Sequence, residues 1–201
     1  MTSVRVFVYG TMTEGMVHFS RIQQFVEKSV TSRIKAEAYR LKVGFPALIK
    51  DGNSWVEGQL VDLKGSEVLL AFLDEFFGFN PMMPEKSLYH REQVDVFIGE
   101  GIAATQAWAY FLNPKKLPAT ASVIPDGDWK RSLDADPAFT ETLTDRQKLY
   151  IRKLGAATGR EIVPINDLSL YRELMNLELI VDKGRRLALS HFGKEVYRYL
   201  G

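Results

Sequence analysis

The chain contains no cysteine and three histidines among 201 residues. The first absence excludes a disulfide scaffold, a cysteine nucleophile and thiolate-ligated zinc. The histidines, His18, His90 and His191, stand apart with no carboxylate at ligand spacing, so no metal site is expected. Ser20 and Ser87 have no histidine–acid pair beside them, which argues against a serine triad. Gly10 and Gly15 lack the Gly-Lys-Ser/Thr ending of a phosphate loop. No cofactor is expected. No apolar run approaches the roughly 20 residues of a membrane helix. The segment from Met1 to Met12 lacks a basic stretch followed by a long apolar one, so it does not read as a signal peptide. A soluble, cytoplasmic protein is expected, and the missing cysteine fits a reducing compartment. Net charge is +1, so no global field points to nucleic acid or to an acidic substrate.

What is present is 46% apolar content, enough for a sizeable core and for one or two domains. Val6-Phe7-Val8 is a short β-prone run that leads into Tyr9-Gly10-Thr11-Met12. Gly10 lets the backbone turn, and the amides of Gly10, Thr11 and Met12 leave the strand in need of acceptors, an anion being one candidate. Phe19, Ile22, Phe25 and Val26 have helical spacing. One or two strands are expected over Val30 to Leu41, Gly44 to Ile49 reads as a rigid turn leading into a strand, and Trp55 to Leu63 as another strand, with Asp51-Gly52-Asn53 as a turn. Ser66 is placed to cap a helix through Phe77, and Gly78 to end it. Two further strands, about Tyr89 to Ile98 and Thr105 to Leu112, flank Gly99-Glu100-Gly101. This order suggests an α+β fold, a small mixed β-barrel or strongly curved sheet with flanking helices.

Several of these segments together resemble the gamma-glutamylcyclotransferase-like superfamily. The matching marks are Val8-Tyr9-Gly10-Thr11-Met12, Gly15, Gly44-Phe45-Pro46-Ala47-Leu48 and Val56-Glu57-Gly58-Gln59-Leu60. Leu73-Asp74 leading to Gly78, Ser87-Leu88-Tyr89-His90-Arg91 and Asp126-Gly127-Asp128-Trp129 complete the set, over roughly residues 5–130. The resemblance implies a barrel with helices around a cavity. It implies cleavage of gamma-glutamyl amides, in which the substrate's α-amine attacks the γ-carbonyl and yields 5-oxoproline and a free amine. It makes Tyr9, Gly10, Thr11 and Met12 the turn that holds the glutamyl group, with Tyr89 at the pocket side.

That reaction needs a carboxylate to take the ammonium proton and pass one to the leaving amine. The family places a glutamate just before the helix-ending glycine. Here the position is Phe77, in Leu73-Asp74-Glu75-Phe76-Phe77-Gly78, and a phenyl ring cannot shuttle a proton. Glu75 lies about 200° around the helix from residue 77. Glu85, in the Pro-rich loop, is the first candidate for a displaced acid/base. Glu92 and Asp95 are expected to face outward on the next strand.

The chain is expected to divide into a cyclotransferase-like domain, 1–140, and a mostly helical C-terminal module, 141–201. Two helices, an Asp-Lys-Gly hairpin and a closing helix capped by Ser190 give the module a winged-helix-like order. Arg185 and Arg186 at the hairpin tip could meet phosphates, although Glu173, Glu178 and Asp182 offset them. A packing or oligomerisation role, with a homo-oligomer as the partner, competes with nucleic-acid binding. The leading expectation is a binding or regulatory protein for a small carboxylate or gamma-glutamyl-type ligand. The alternatives are an active cyclotransferase with Glu85 displaced into the acid/base role and a ligand sensor with a nucleic-acid-binding module.

Overall fold

The computed structural model describes residues 3–65, 67–99, 103–158 and 161–200. These residues form two compact units that divide between Asp136 and Pro137.

In the N-terminal unit, β1 (Ser3–Val8) runs antiparallel to the second half of β3 (Pro46–Lys64), in register from Ser3 with Lys64 to Val8 with Gln59. β3 also pairs along its length with β2 (Val26–Arg40). β4 (Tyr89–Phe97) joins β5 (Ala103–Leu112), β5 meets β1 in parallel at Val6 and Trp108, and β4 meets β2 at Phe97 and Arg33. The order β3-β1-β5-β4-β2 therefore returns to β3 and closes a five-stranded mixed barrel. A sixth short strand, β6 (Ser122–Val123), adds to β2. The helix α1 (Glu67–Phe77) and the short helix α2 (Trp129–Ala135) flank it.

Period-two alternation sorts the strand residues into two cores. Phe7, Ile34, Ala36, Ala38, Val56, Leu60, Val96, Ala107 and Phe111, drawn from all five strands, pack together in the barrel interior. Val6, Val8, Val61, Leu63, Tyr89 and Tyr110 face the other way and are covered by Leu69 and Leu73 of α1. Burying such side chains contributes about 1.5–3 kcal/mol each before conformational entropy is subtracted.

Two sequence expectations change here. The segment from Phe19 to Val26 is not an α-helix. It forms two single turns of 3-10 helix, Phe19–Arg21 and Gln23–Phe25, and Val26 already belongs to β2. Three-residue spacing serves a 3-10 turn as well as an α-helix, and Ile22 is fully buried by it. Asp51-Gly52-Asn53 does not separate two strands. Ala36 pairs with Ser54 and Glu37 with Ile49, so Lys50 to Asn53 bulge out of one continuous β3. Pairing with an unbroken β2 on both sides overrides the local turn preference. Gly78 ends α1 with φ +66°, as the sequence suggests. The Ser66 cap and most of the Gly99-Glu100-Gly101 turn lie outside the described residues.

The C-terminal unit is helical around one small hairpin. It comprises α3 (Phe139–Thr142), α4 (Asp145–Ala156), α5 (Leu168–Asn176), β7 (Ile180–Asp182), β8 (Leu187–Leu189) and α6 (His191–Leu200). Thr144 and Gln147 form a reciprocal capping box on α4. Ser190 accepts the Gly193 amide at 2.8 Å and so caps α6. Phe139 of α3 meets the Phe192 ring at 5.0 Å, which ties α3 to this unit. Arg185 and Arg186 are exposed at the hairpin turn. Among the described residues, no helix is long and apolar enough to cross a membrane.

Candidate functional site

The turn after β1 is tightly built. Gly10 has φ +61°, and a Cβ there would stand 2.1 Å from Pro46 Cγ, so both the conformation and the space require glycine. The carbonyl of Gly10 accepts the Thr13 amide at 3.1 Å and the Thr13 hydroxyl at 2.7 Å. Of the three amides expected to seek a ligand, that of Met12 turns back to the Tyr9 carbonyl at 3.3 Å, and the Met12 side chain is buried in the core beneath α1. Gln59 accepts the Glu14 amide at 2.8 Å and ties the loop to β3.

His18 lies at the back of this turn. A loop histidine is ordinarily solvated, but this one is only 2% exposed. Its amide donates to the Thr11 carbonyl at 2.9 Å, and its Nδ1 lies 3.0 Å from the Thr11 hydroxyl. Its ring stacks near Phe45 at 5.7 Å and meets the edge of Phe76 at 5.2 Å. Burial, helped by the nearby Arg21 cation, lowers its pKa to about 4.

Phe77 occupies the position where an acid/base is expected. Its ring lies parallel to that of Tyr110, with centroids 4.2 Å apart and 12° between planes. Tyr89 stands 5.3 Å away and Phe76 5.0 Å away. The space beside the helix end is thus aromatic packing. A carboxylate is set into this packing, that of Asp74, one turn earlier on α1. Arg91 Nη1 donates to both Asp74 oxygens at 3.0 and 2.9 Å, and the Tyr110 hydroxyl donates to one of them at 2.7 Å. Burial, reinforced by the hydrogen bond to Asp74, drives the Tyr110 pKa upward. The Arg91 guanidinium also lies over Trp108 at 4.9 Å. In the sequence Asp74 stands out only as part of the Leu73-Asp74 motif. Its spacing of three residues from Phe77 puts both on one helix face, and that is the signal that could have found it.

The structure brings Phe77, Tyr89 and the Met12 side chain into one cluster and leaves two other expected residues out of it. Tyr9 points to the barrel interior. Its hydroxyl is buried and, among the described residues, has no hydrogen-bond partner. Burial first, then the Asp128 and Asp126 carboxylates, push its pKa up. Tyr9→Phe is therefore expected to leave thermal stability level or raise it by up to about 1 kcal/mol, as measured by thermal melting, because no bond is lost and an unsatisfied group is removed. Glu85 is exposed on a 3-10 turn, Pro84–Lys86, where its backbone carbonyl accepts the Asn113 amide group at 3.4 Å. Glu75 is exposed. Glu92 pairs with Lys50, and Asp95 accepts from Gln106 at 2.6 Å. Ser87 is buried as a loop fastener, accepting the Asn80 amide at 2.8 Å.

The family model for gamma-glutamyl cyclotransferase, AIG2-like proteins matches residues 6–131. No curated protein matches the chain. Among solved structures, YkqA from Bacillus subtilis is 18% identical with a TM-score of 0.51, over 94% of this chain and 81% of that one. A uropathogenic E. coli-specific protein is 14% identical with a TM-score of 0.48, over 67% and 98%. A mouse AIG2-like protein is 20% identical with a TM-score of 0.41, over 59% and 86%. With the closed barrel, the Gly10 turn and the matched span together, the chain belongs to the gamma-glutamyl cyclotransferase, AIG2-like family.

Proposed function

We propose that this protein holds a small carboxylate or gamma-glutamyl-type ligand at the Gly10 turn without performing the family's cyclisation. The observation that carries this reading is the parallel stack of Phe77 on Tyr110 at 4.2 Å, at the position that would need a proton carrier. Cyclisation requires a base for the α-ammonium and an acid for the leaving amine. Phe77 offers neither. Asp74, the buried carboxylate nearby in sequence, has both oxygens engaged by Arg91 and Tyr110. Glu85, the displaced candidate, has its side chain in solvent. The turn keeps its shape through Gly10, Thr13 and His18, so holding and proton transfer are separable here.

The test is to incubate the protein with gamma-glutamyl amines, follow 5-oxoproline by chromatography, and measure binding of the same compounds by calorimetry. Binding with no 5-oxoproline above the uncatalysed rate is the expected result. Robust turnover that disappears in Glu85→Gln would overturn the reading in favour of an active enzyme with a displaced acid/base.

A further inference from the structure

Three segments far apart in the sequence meet at one buried side chain. The turn after β1 reaches His18 through Thr11, the Gly44-Phe45-Pro46 turn reaches it through the Phe45 ring, and the end of α1 reaches it through the edge of Phe76. Thr11 is held twice, by the residue-18 amide on its carbonyl at 2.9 Å and by Nδ1 on its hydroxyl at 3.0 Å. Gly10, on the other side of Thr11, is pressed against Pro46, which follows Phe45 directly. Thr11 is thus fixed from both directions while itself remaining half-buried.

We propose that His18 is the positioning residue of the ligand turn. Its ring fixes the side-chain rotamer of Thr11 and the backbone of Gly10 to Met12, so that the turn presents a preformed face to a carboxylate. This rests on the reading of that turn as a ligand site. His18 is too deeply buried to touch a ligand itself, so it acts through Thr11. Its depressed pKa keeps the ring uncharged at neutral pH, and the contact with Thr11 is then a neutral hydrogen bond. Preorganisation of this kind improves affinity by removing the cost of ordering the loop on binding.

The nitrogen nearest the backbone, Nδ1, makes the contact. Asparagine can place a polar atom at nearly the same reach, and leucine fills volume without one. His18→Asn and His18→Leu therefore separate positioning from packing. In the free protein, three-bond couplings to the Thr11 methyl report its rotamer, and amide exchange at Thr13 and residue 18 reports the turn. In His18→Leu the Thr11 rotamer is expected to average, and exchange at these two amides to quicken about tenfold relative to β1, the size of one net hydrogen bond. His18→Asn is expected to stay within about threefold of wild type. Binding of 5-oxoproline, the probe, should follow the same order. A single Thr11 rotamer in His18→Leu, or no difference between the two variants, overturns the proposal. Should His18→Leu not fold, Thr11→Val removes the other partner at a half-buried site. Unchanged exchange in that variant likewise overturns it. If wild type binds neither 5-oxoproline nor a gamma-glutamyl amine, the ligand reading fails at that point, while the free-protein measurements still decide the role of His18.

Discussion

Asp74→Ala is expected to destabilise the N-terminal unit by about 3 kcal/mol, the usual cost of removing one partner from a buried ion pair. Read by thermal melting, that is a fall of roughly 10 °C for a chain of this size. Asp74 and Arg91 keep side-chain exposures of 11% and 17%, so solvent screens their pairing little. The aspartate also accepts from Tyr110, and its own backbone carbonyl accepts the Phe79 amide at 2.8 Å just past the helix end. Removing the carboxylate leaves Arg91 charged among Trp108 and Phe79 and leaves the Tyr110 hydroxyl without its acceptor. Tyr110→Phe, which deletes only one hydrogen bond, should cost about 1 kcal/mol. The Lys50–Glu92 pair on the barrel surface supplies the scale at the other end, because exposed pairs contribute about 0–1 kcal/mol. An Asp74→Ala loss no larger than that of Glu92→Ala would show that the triad is not a buried network.

The Asp74–Arg91–Tyr110 triad is not legible in the sequence, whereas several elements around it are. Val6-Phe7-Val8, the alternation in β2 and β4, and Gly78 after Phe77 each carry a local signal, and the strands and the helix end follow from them. The closing of the barrel does not. It depends on β3 pairing with β1 along one edge and with β2 along the other, and that is decided by long-range pairing. The Asp51-Gly52-Asn53 bulge is a case where local turn chemistry is real yet subordinate to the ladder. At the site, the expectation at Phe77 came from one motif read residue by residue, which could say what was missing but not what filled the space. Tyr110 and Arg91 come from β5 and β4, and only the register of those strands brings them to Asp74. The burial of His18 is hidden from the sequence for the same reason. Its neighbours in sequence, Val17 and Phe19, gave no sign that Phe45 and Phe76 would enclose it.

Phe77→Glu puts the ring-for-carboxylate exchange to a direct test, and two opposed effects are expected from it. Loss of a ring stacked 4.2 Å from Tyr110 and 5.3 Å from Tyr89 should cost about 3 kcal/mol or more in stability, as large-to-small changes in packed clusters do. The incoming carboxyl would meet those two rings with the Asp74 carboxylate one helical turn away. Low polarity and a like charge both disfavour ionisation, so its pKa should lie above the ordinary glutamate range. A raised carboxyl pKa suits a group that must first take a proton and then return one at neutral pH. Release of 5-oxoproline from gamma-glutamyl amines is therefore expected to rise about 100-fold or more over wild type, the lower end of what a placed acid/base contributes. Phe77→Gln has nearly the same shape and the same packing loss but no titrating proton, so it should be destabilised alike and remain inactive. A Phe77→Glu protein that is folded, binds a gamma-glutamyl amine and yet releases no 5-oxoproline would remove position 77 as the point where this chain parts from cyclisation. Equal turnover in wild type, Phe77→Glu and Phe77→Gln would instead place the proton carrier elsewhere, with Glu85→Gln as the next variant to measure.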